Sequence, residues 1–178
     1  MLEQDQKLVQ DAQQDPDKFA VLYDKYFEQI YRYVYRRVND KDTVEDLVSQ
    51  TFFDALSHIK SFEWRGFPFS SWLYKIAHNN VLKWYRERSK VQKVGLDDIN
   101  ELADLDVDQV RDASRKERTL EVQLVLDQLD QEEREIIRLK FFEEVSNIEI
   151  AEIMGLSANH IGVKVYRTLK KVKQLFKS

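Results

Sequence analysis

The sequence predicts an all-α protein: two small helical domains joined by an acidic flexible linker, the C-terminal domain being a helix-turn-helix four-helix bundle. The composition leaves few helix breakers, since the 178 residues include only four Gly and two Pro, and 34% of them are charged. Apolar residues recur every three or four positions through most of the chain. This pattern lapses between Lys90 and Ser114, which places a domain boundary near residue 90.

The composition also excludes several classes of protein. The chain has no Cys, its three His are far apart, and it has no Gly-rich phosphate loop and no recognisable pair of catalytic carboxylates. We therefore expect no enzyme activity, no metal site and no cofactor. No apolar run reaches the ~18–20 residues of a membrane span, and the acidic start is not a signal peptide. These features favour a cytoplasmic protein without membrane insertion.

The first ninety residues predict a helical domain. Residues 2–14 can form a short helix, and Asp15 and Pro16 suit the start of a longer one. The apolar stripe of that longer helix comprises Phe19, Tyr23, Tyr26, Ile30, Val34 and Val38. Thr43 and Asp46 resemble a capping box, and the next helix has the buried stripe Val44, Val48, Thr51, Phe52, Ala55 and Ile59. Asp46, Gln50 and Phe53 align on its other side, where an exposed Phe fits a protein-binding face and chance exposure equally well.

Eight aromatic residues lie between Phe62 and Tyr85. Ser70 is the predicted N-cap of a helix with the buried stripe Leu73, Ile76, Ala77, Asn80 and Trp84, and Lys75, His78, Asn79, Lys83 and Arg86 lie mostly outside that stripe. Rings beside basic side chains suit single-stranded nucleic acid, because they stack on bases while cations follow the phosphates. Rings at helical spacing also fill cores, and this second interpretation is slightly favoured.

The segment after residue 90 is acidic, with seven acids against two bases between Lys90 and Ser114, and it suits a tether. Helical pattern returns with Leu120, Leu124 and Leu129. Asp130 and Glu133 then form a second capping-box pattern, at the start of a helix that carries Ile136, Ile137 and Phe142.

The last 33 residues, 146–178, predict a helix-turn-helix. Ser146 and Glu149 suit a capping box, Gly155 suits the left-handed end of a short helix, and Ser157 can cap the next one. The buried stripe of this last helix comprises Ile161, Val165, Leu169, Val172 and Phe176. Its outer face carries Asn159, Val163, Arg167 and Lys170, with His160, Lys164 and Lys171 beside them. Such a basic face can merely complement the helix dipole, but turn, cap and charge together favour contact with a DNA major groove.

The order of these parts resembles the extracytoplasmic-function sigma factors, which are two-domain members of the bacterial sigma-70 family. VEDLVSQTFFDAL (44–56) is similar to the polymerase-binding helix of that family, and FSSWLYKIAHN (69–79) is similar to its promoter-melting segment. EREIIRLKFFEEVSNIEIAEIMGLSANHIGVKVYRTLKKVK (133–173) is similar to its final domain. The resemblance covers residues 6–176. Two departures are Lys83, where many members carry Asp, and Gly162, where many carry Arg or Lys.

The resemblance implies a transcription initiation factor that binds core RNA polymerase, recognises the minus-35 and minus-10 promoter elements and promotes DNA melting. It implies a region 2-like domain over 1–90, a linker over 91–114 and a region 4-like domain over 115–178. The implied polymerase-binding residues are Asp46, Leu47, Gln50 and Phe53; the minus-10 residues are Asn79, Asn80, Lys83, Arg86 and Arg88; the minus-35 residues are Asn159, His160, Val163, Lys164, Arg167 and Lys170.

The implied partners are the beta-prime clamp and beta flap of core RNA polymerase and promoter DNA, in the bacterial cytoplasm and on the nucleoid when the protein is active. Small members of this family are commonly held by an anti-sigma factor, although no residue here identifies one. Two other functions fit parts of the sequence. The C-terminal motif alone fits a stand-alone helix-turn-helix regulator, and the Asp46–Phe53 face alone fits a module that binds polymerase or an inhibitor without reading DNA.

Overall fold

The computed structural model describes residues 2–38, 40–92 and 113–176, and these residues form eight α-helices and no strand. The chain divides into two compact units, one within residues 1–103 and the other within residues 104–178. The prediction of an all-α protein with two helical domains is confirmed. Most of the predicted acidic linker lies outside the described residues. In the part of the chain that the structure describes, no helix is both long enough and apolar enough to cross a bilayer.

The first unit is built from four helices: α1 (Leu2–Gln14), α2 (Phe19–Tyr35), α3 (Lys41–His58) and α4 (Phe69–Gln92). Short 3₁₀ turns lie before α2, at Pro16–Lys18, and after α3, at Ile59–Ser61. Helices α2, α3 and α4 pack against one another, and α1 packs on α2 and on the turn after α3. The fully buried core side chains include Leu22, Ile30, Tyr33, Phe69, Leu73 and Tyr74. Gln13 fixes the end of α1, because its Nε2 donates to the carbonyls of Ile59 at 3.0 Å and Phe62 at 2.9 Å.

Two helix starts in this unit differ from the sequence prediction. Asp40, not Thr43, is the N-cap of α3, because its carboxylate accepts hydrogen bonds from the Thr43 backbone N–H at 2.8 Å and the Thr43 hydroxyl at 2.6 Å. The Thr43 hydroxyl and then the backbone N–H hold the pKa of Asp40 below its ordinary value. Helix α4 begins at Phe69, so Ser70 lies within its first turn and is not its cap.

The second unit contains α5 (Ala113–Asp127), α6 (Gln131–Phe141), α7 (Asn147–Met154) and α8 (Ala158–Leu175). Helix α8 packs against each of the other three. Both predicted capping boxes are confirmed, with Asp130 and Glu133 starting α6 and Ser146 and Glu149 starting α7. The core consists mainly of branched side chains, including Ile136, Leu139, Ile150, Ile153 and Ile161. The four-helix prediction for this domain is therefore confirmed.

The apolar stripes of α5 and α8 are shorter than the periodicity indicated. Leu120 and Leu124 are 51% and 65% exposed, although Leu129 is buried as expected. In α8, Ile161 and Val165 are buried, but Leu169 and Phe176 are 40% and 43% exposed, and Thr168 takes the buried position instead. A helical wheel gives the direction of a stripe, but it does not give the length over which neighbouring helices cover it.

Candidate nucleic-acid and protein interfaces

The turn between α7 and α8 has the geometry of a helix-turn-helix. Gly155 ends α7 in the left-handed conformation, with φ 68° and ψ 32°, and Leu156 N–H donates to the Ala151 carbonyl at 2.9 Å. The Ser157 hydroxyl then accepts a hydrogen bond from the His160 N–H at 3.2 Å. These contacts fix the point at which α8 begins and leave its first turn, with Asn159, on the surface.

The outer face of α8 is exposed as the helical wheel predicted. Asn159, Val163, Arg167 and Lys170 are all exposed, and no described carboxylate lies within ion-pair distance of Arg167 or Lys170. Tyr166, which is not among the predicted site residues, is 72% exposed on the neighbouring part of the helix surface. Its position three residues after Val163 and four before Lys170 is the pattern that could have identified it.

Unlike the outer face of α8, the side chains of His160 and Lys164 both contact α6. Glu132 Oε1 lies 3.1 Å from His160 Nε2 and 2.9 Å from Lys164 Nζ. Asp130 Oδ2 is a second, longer neighbour of Lys164 at 3.9 Å. About two turns after Lys164 on α8, Lys171 Nζ lies 2.8 Å from Glu133 Oε2. Among the described residues, the predicted minus-35 set therefore divides into an outer row without an ion-pair partner and two side chains, His160 and Lys164, that contact acids of the second unit.

The pKa values of Glu132 and Lys164 shift in the directions expected of an ion pair. Hydrogen bonds from Lys164 and then from His160 hold the pKa of the Glu132 carboxyl below its ordinary value of 4.5. The hydrogen bond to Glu132 raises the pKa of Lys164 above its ordinary value of 10.5. Both groups are consequently charged throughout the neutral pH range.

Three of the four predicted polymerase-binding residues share one exposed face of α3. Asp46, Gln50 and Phe53 are exposed, and Phe53 is 65% exposed. Leu47 is only 8% exposed, so its side chain belongs to the core and does not share this face. Gln50 Nε2 donates to Asp54 Oδ1 at 2.7 Å, which orders the amide along the helix.

The predicted minus-10 residues of α4 do not all point the same way. Asn79, Lys83 and Arg86 are exposed and lie at spacings of four and three, which places them in one row along the helix. Asn80 faces α3 instead, where its Nδ2 donates to Asp54 Oδ2 at 3.0 Å. The Arg88 guanidinium carbon lies 5.2 Å from the centre of the Trp84 ring, within range of a cation–π contact.

His78 is another difference from the sequence analysis, which placed it outside the buried stripe. Its side chain is buried, with the ring Nδ1 3.4 Å from the Tyr33 hydroxyl. The core side of α4 also includes Tyr74 and Val81 beside the predicted Leu73 and Ala77. The buried face of α4 is thus wider than the predicted stripe.

The aromatic segment before α4 packs mainly on itself. The Phe62 ring centre is 4.9 Å from that of Trp72 and 5.8 Å from that of Trp64, and Phe69 is completely buried beside them. Offset and edge-on contacts of this kind stabilise a packed cluster. The interpretation of these rings as a core is therefore favoured over an open stacking platform for bases.

A second group of rings runs along α2, and only Tyr23 among them belongs to the apolar stripe that the sequence predicts for this helix. Tyr23, Phe27, Tyr31 and Tyr35 follow one another at intervals of four, with ring centres 5.2 to 6.2 Å apart. Tyr23 also lies 4.7 Å from Phe52 of α3. Tyr23 and Phe27 are 39% and 36% exposed, so this row forms the rim of the core and not its centre.

Each of the two units matches a known protein-family model. The family model described as Sigma-70 region 2 matches residues 22–91, and the model described as Sigma-70, region 4 matches residues 119–172. RNA polymerase sigma factor YlaC of Bacillus subtilis is 32% identical over 161 residues, which cover 89% of this chain and 91% of that protein. The chain belongs to the sigma-70 family. Within that family it is an extracytoplasmic-function sigma factor, and thus a transcription initiation factor.

A further relative of this sigma factor is ECF RNA polymerase sigma factor BldN of Streptomyces coelicolor, with 34% identity over 173 residues. That alignment covers 95% of this chain and 64% of BldN, so the chain spans just under two thirds of that relative. Members of this family act together with RNA polymerase and promoter DNA. In general they are transcription initiation factors and not enzymes.

Solved structures share the fold of this sigma factor. CnrH, in complex with the cytosolic domain of CnrY, has a TM-score of 0.69 and 22% identity over 97% of each chain. RpoE of Bartonella quintana, in complex with the anti-sigma factor NepR, has a TM-score of 0.67 and 21% identity over 89% of this chain and 96% of its own.

Proposed function

We propose that this sigma factor recognises promoters at two points, with the first unit binding core polymerase and the minus-10 element and the second unit binding the minus-35 element. The region 2-like part would occupy residues 1–90, the linker 91–114 and the region 4-like part 115–178. The observation that carries the proposal is the helix-turn-helix of the second unit, whose recognition helix presents Arg167 and Lys170, both exposed and without an ion-pair partner among the described residues. The chain itself would contribute no catalysis.

The polymerase contact is proposed for the exposed face of α3. Asp46, Gln50 and Phe53 follow one another at spacings of four and three, which places them on one side of the helix. A Phe ring that is 65% exposed between polar residues suits the apolar anchor of an interface. Leu47 would support this face from within the core.

The minus-10 contact is proposed for the row Asn79, Lys83 and Arg86. Asn79 is exposed and can offer an amide donor and acceptor to an extruded base, while Lys83 and Arg86 can hold the adjacent phosphates. Asn80 would contribute only after leaving Asp54, to which it donates a 3.0 Å hydrogen bond. Arg88, beside the Trp84 ring, would reach a phosphate from the end of this row.

The minus-35 contact is proposed for the outer face of α8 between Asn159 and Lys170. Asn159 and Val163 would meet base edges in the major groove, and Arg167 and Lys170 would contact the flanking phosphates. His160 and Lys164 lie beside this row and remain part of the proposed site. Since the whole chain has a formal charge of −4, the attraction to DNA must come from such local basic rows.

The proposal places the protein in the bacterial cytoplasm, on the nucleoid when it is bound to polymerase. The beta-prime clamp would receive α3 and the beta flap would receive the second unit. CnrH was solved in complex with the cytosolic domain of CnrY and RpoE in complex with the anti-sigma factor NepR, and an anti-sigma factor is a partner to look for here as well.

Sequencing the 5′ ends of transcripts that appear on overproduction of the protein tests this function. The expected result is a set of start sites that share two short sequence blocks, spaced as minus-35 and minus-10 elements. A single shared operator-like block would contradict the two-point proposal and would favour a stand-alone helix-turn-helix regulator. The double variant Arg167→Ala with Lys170→Ala should remove these start sites while leaving the level of the protein unchanged.

A further inference from the structure

The first turn of α6 places three carboxylates against the basic flank of α8. Asp130, Glu132 and Glu133 together contact three side chains of α8, namely His160, Lys164 and Lys171. Asp130 and Glu133 also form the capping box of α6, so their presence has a local structural reason. Glu132 is not part of that box, and its carboxylate is directed to the recognition helix.

One carboxylate oxygen of Glu132 contacts two side chains of α8. Its Oε1 lies 2.9 Å from Lys164 Nζ and 3.1 Å from His160 Nε2. His160 is in the first turn of α8, and Lys164 follows one turn later on the same side. Both side chains adjoin the outer row of Asn159, Val163 and Arg167, where the duplex is proposed to bind.

A bound duplex would compete with Glu132 for these side chains. A Lys that neutralises a DNA phosphate releases counterions and thereby adds to the affinity, whereas a Lys already paired with a carboxylate adds little. Glu132 would also stand near the phosphates as an uncompensated negative charge if Lys164 turned towards the DNA. The contact between Glu132 and Lys164 therefore weakens DNA binding, both by occupying Lys164 and by keeping a negative charge near the phosphates.

We propose that Glu132 is a positioning residue of the recognition helix: it holds His160 and Lys164 against α6 and so limits the affinity of the second unit for DNA. Contacts with the duplex then rest on the outer row, and Lys164 contributes only when it leaves Glu132. This inference rests on the proposed minus-35 role of α8. It also accounts for an acidic residue beside a basic DNA-binding surface.

The test is DNA binding by the full-length chain, measured by fluorescence anisotropy with a mixed-sequence duplex of about 40 base pairs over a salt series. Mixed sequence makes the assay independent of any particular promoter. Glu132→Gln should tighten binding by about threefold to tenfold at low salt, and it should steepen the slope of log K against log salt by about 0.9, the value for one additional phosphate contact.

Glu121→Gln is the matched control, because Glu121 is an exposed acid of the same unit with no described ion-pair partner. It removes the same charge and should change the slope far less than Glu132→Gln does. In the double variant Glu132→Gln with Lys164→Gln, the gain in affinity and the change of slope should disappear.

Equal effects of Glu132→Gln and Glu121→Gln on the slope would overturn the proposal, and so would a gain that persists without Lys164. Thermal unfolding of each variant separates these outcomes from a loss of folding. If the promoter-reading function itself were wrong, wild-type protein with core polymerase would give no specific transcripts. That result is independent of the salt slopes.

Discussion

Asn79 and Asn80 are adjacent in sequence, yet the structure gives them different surroundings. Asn79 is exposed on α4, and Asn80 donates to Asp54 across the contact with α3. The helical wheel puts Asn80 on the buried stripe and Asn79 outside it, but it cannot show that the Asn80 amide reaches Asp54 on another helix. Leu47 and His78 show the same limit, since both lie at the edge of a stripe and both are buried.

Alanine substitutions at the two asparagines should therefore have different effects. Asn80→Ala should lower the free energy of unfolding by about 0.5–1.5 kcal/mol, because it removes a hydrogen bond within the fold. Asn79→Ala should change it by less than about 0.5 kcal/mol, as exposed positions usually do. Urea unfolding measures both. Promoter opening, followed by permanganate reactivity, should be impaired by Asn79→Ala, and unimpaired opening would exclude Asn79 from base capture.

Phe53 and Leu47 offer a second contrast on α3. Phe53→Ala should leave stability nearly unchanged and weaken binding to core polymerase by about tenfold or more, as for an interface anchor. Leu47→Ala should instead cost about 2–5 kcal/mol of stability, because it opens a cavity in the core. Competition for core polymerase against a labelled sigma factor gives the affinities. Full affinity of the Phe53 variant would remove this face from the polymerase interface.

At the scale of whole elements, the helices and their caps were the most predictable part of the fold. Ser146, Ser157 and Asp130 act as caps as predicted, because each precedes an apolar repeat without a competing residue. The start of α3 was placed wrongly at Thr43, since Asp40 three residues earlier is an equally good cap and its carboxylate reaches two Thr43 donors. Local sequence does not decide between two suitable caps that are close together.

The two glycines of the helix-turn-helix should respond in opposite directions to alanine. Gly155→Ala should destabilise the second unit by about 1–2 kcal/mol, because φ at this position is 68° and a Cβ disfavours that conformation. Gly162→Ala should stabilise it by about 0.5–1 kcal/mol, since the position is helical and an added Cβ meets no atom within 4 Å. Chemical unfolding followed by circular dichroism measures both changes. A destabilising Gly162→Ala would show that this glycine has a packing role.

The contact between α6 and α8 should have a defined pH dependence. Because Lys164 and His160 lower the pKa of Glu132, the stabilisation by Glu132 is fully present above its unfolded value of 4.5 and is lost as pH falls through the lower folded value. The difference in unfolding free energy between wild type and Glu132→Gln should thus be present at neutral pH and decline as the pH falls below about 4.5. A difference that grew on acidification would contradict the ion pair.

For the whole molecule, the sequence predicted an all-α chain with two helical domains, and the order of three motifs was enough to identify the family. The surface was harder to predict. The contact of Tyr23 with Phe52, the hydrogen bond from Asn80 to Asp54 and the pairing of Lys164 with Glu132 depend on which helices lie side by side. Such contacts join residues far apart in sequence, and a periodicity within one helix carries no information about them.

The net charge of the chain is acidic, although two of its surfaces are basic. A chain with a formal charge of −4 carries a basic outer row on α8 and an exposed Lys83 and Arg86 on α4. Two separate basic surfaces on an acidic protein suit specific contacts at two places better than general coating of DNA. The proposed function requires both surfaces to act in one complex with polymerase.

Run-off transcription with core RNA polymerase on a library of promoter fragments tests the central claim most directly. Wild-type protein should direct initiation from a specific subset of fragments. Asn79→Ala and the double variant Arg167→Ala with Lys170→Ala should each reduce that initiation by at least about tenfold, equivalent to about 1.4 kcal/mol of lost binding or melting energy. Initiation on no fragment, by protein that is folded and bound to core polymerase, would contradict the account.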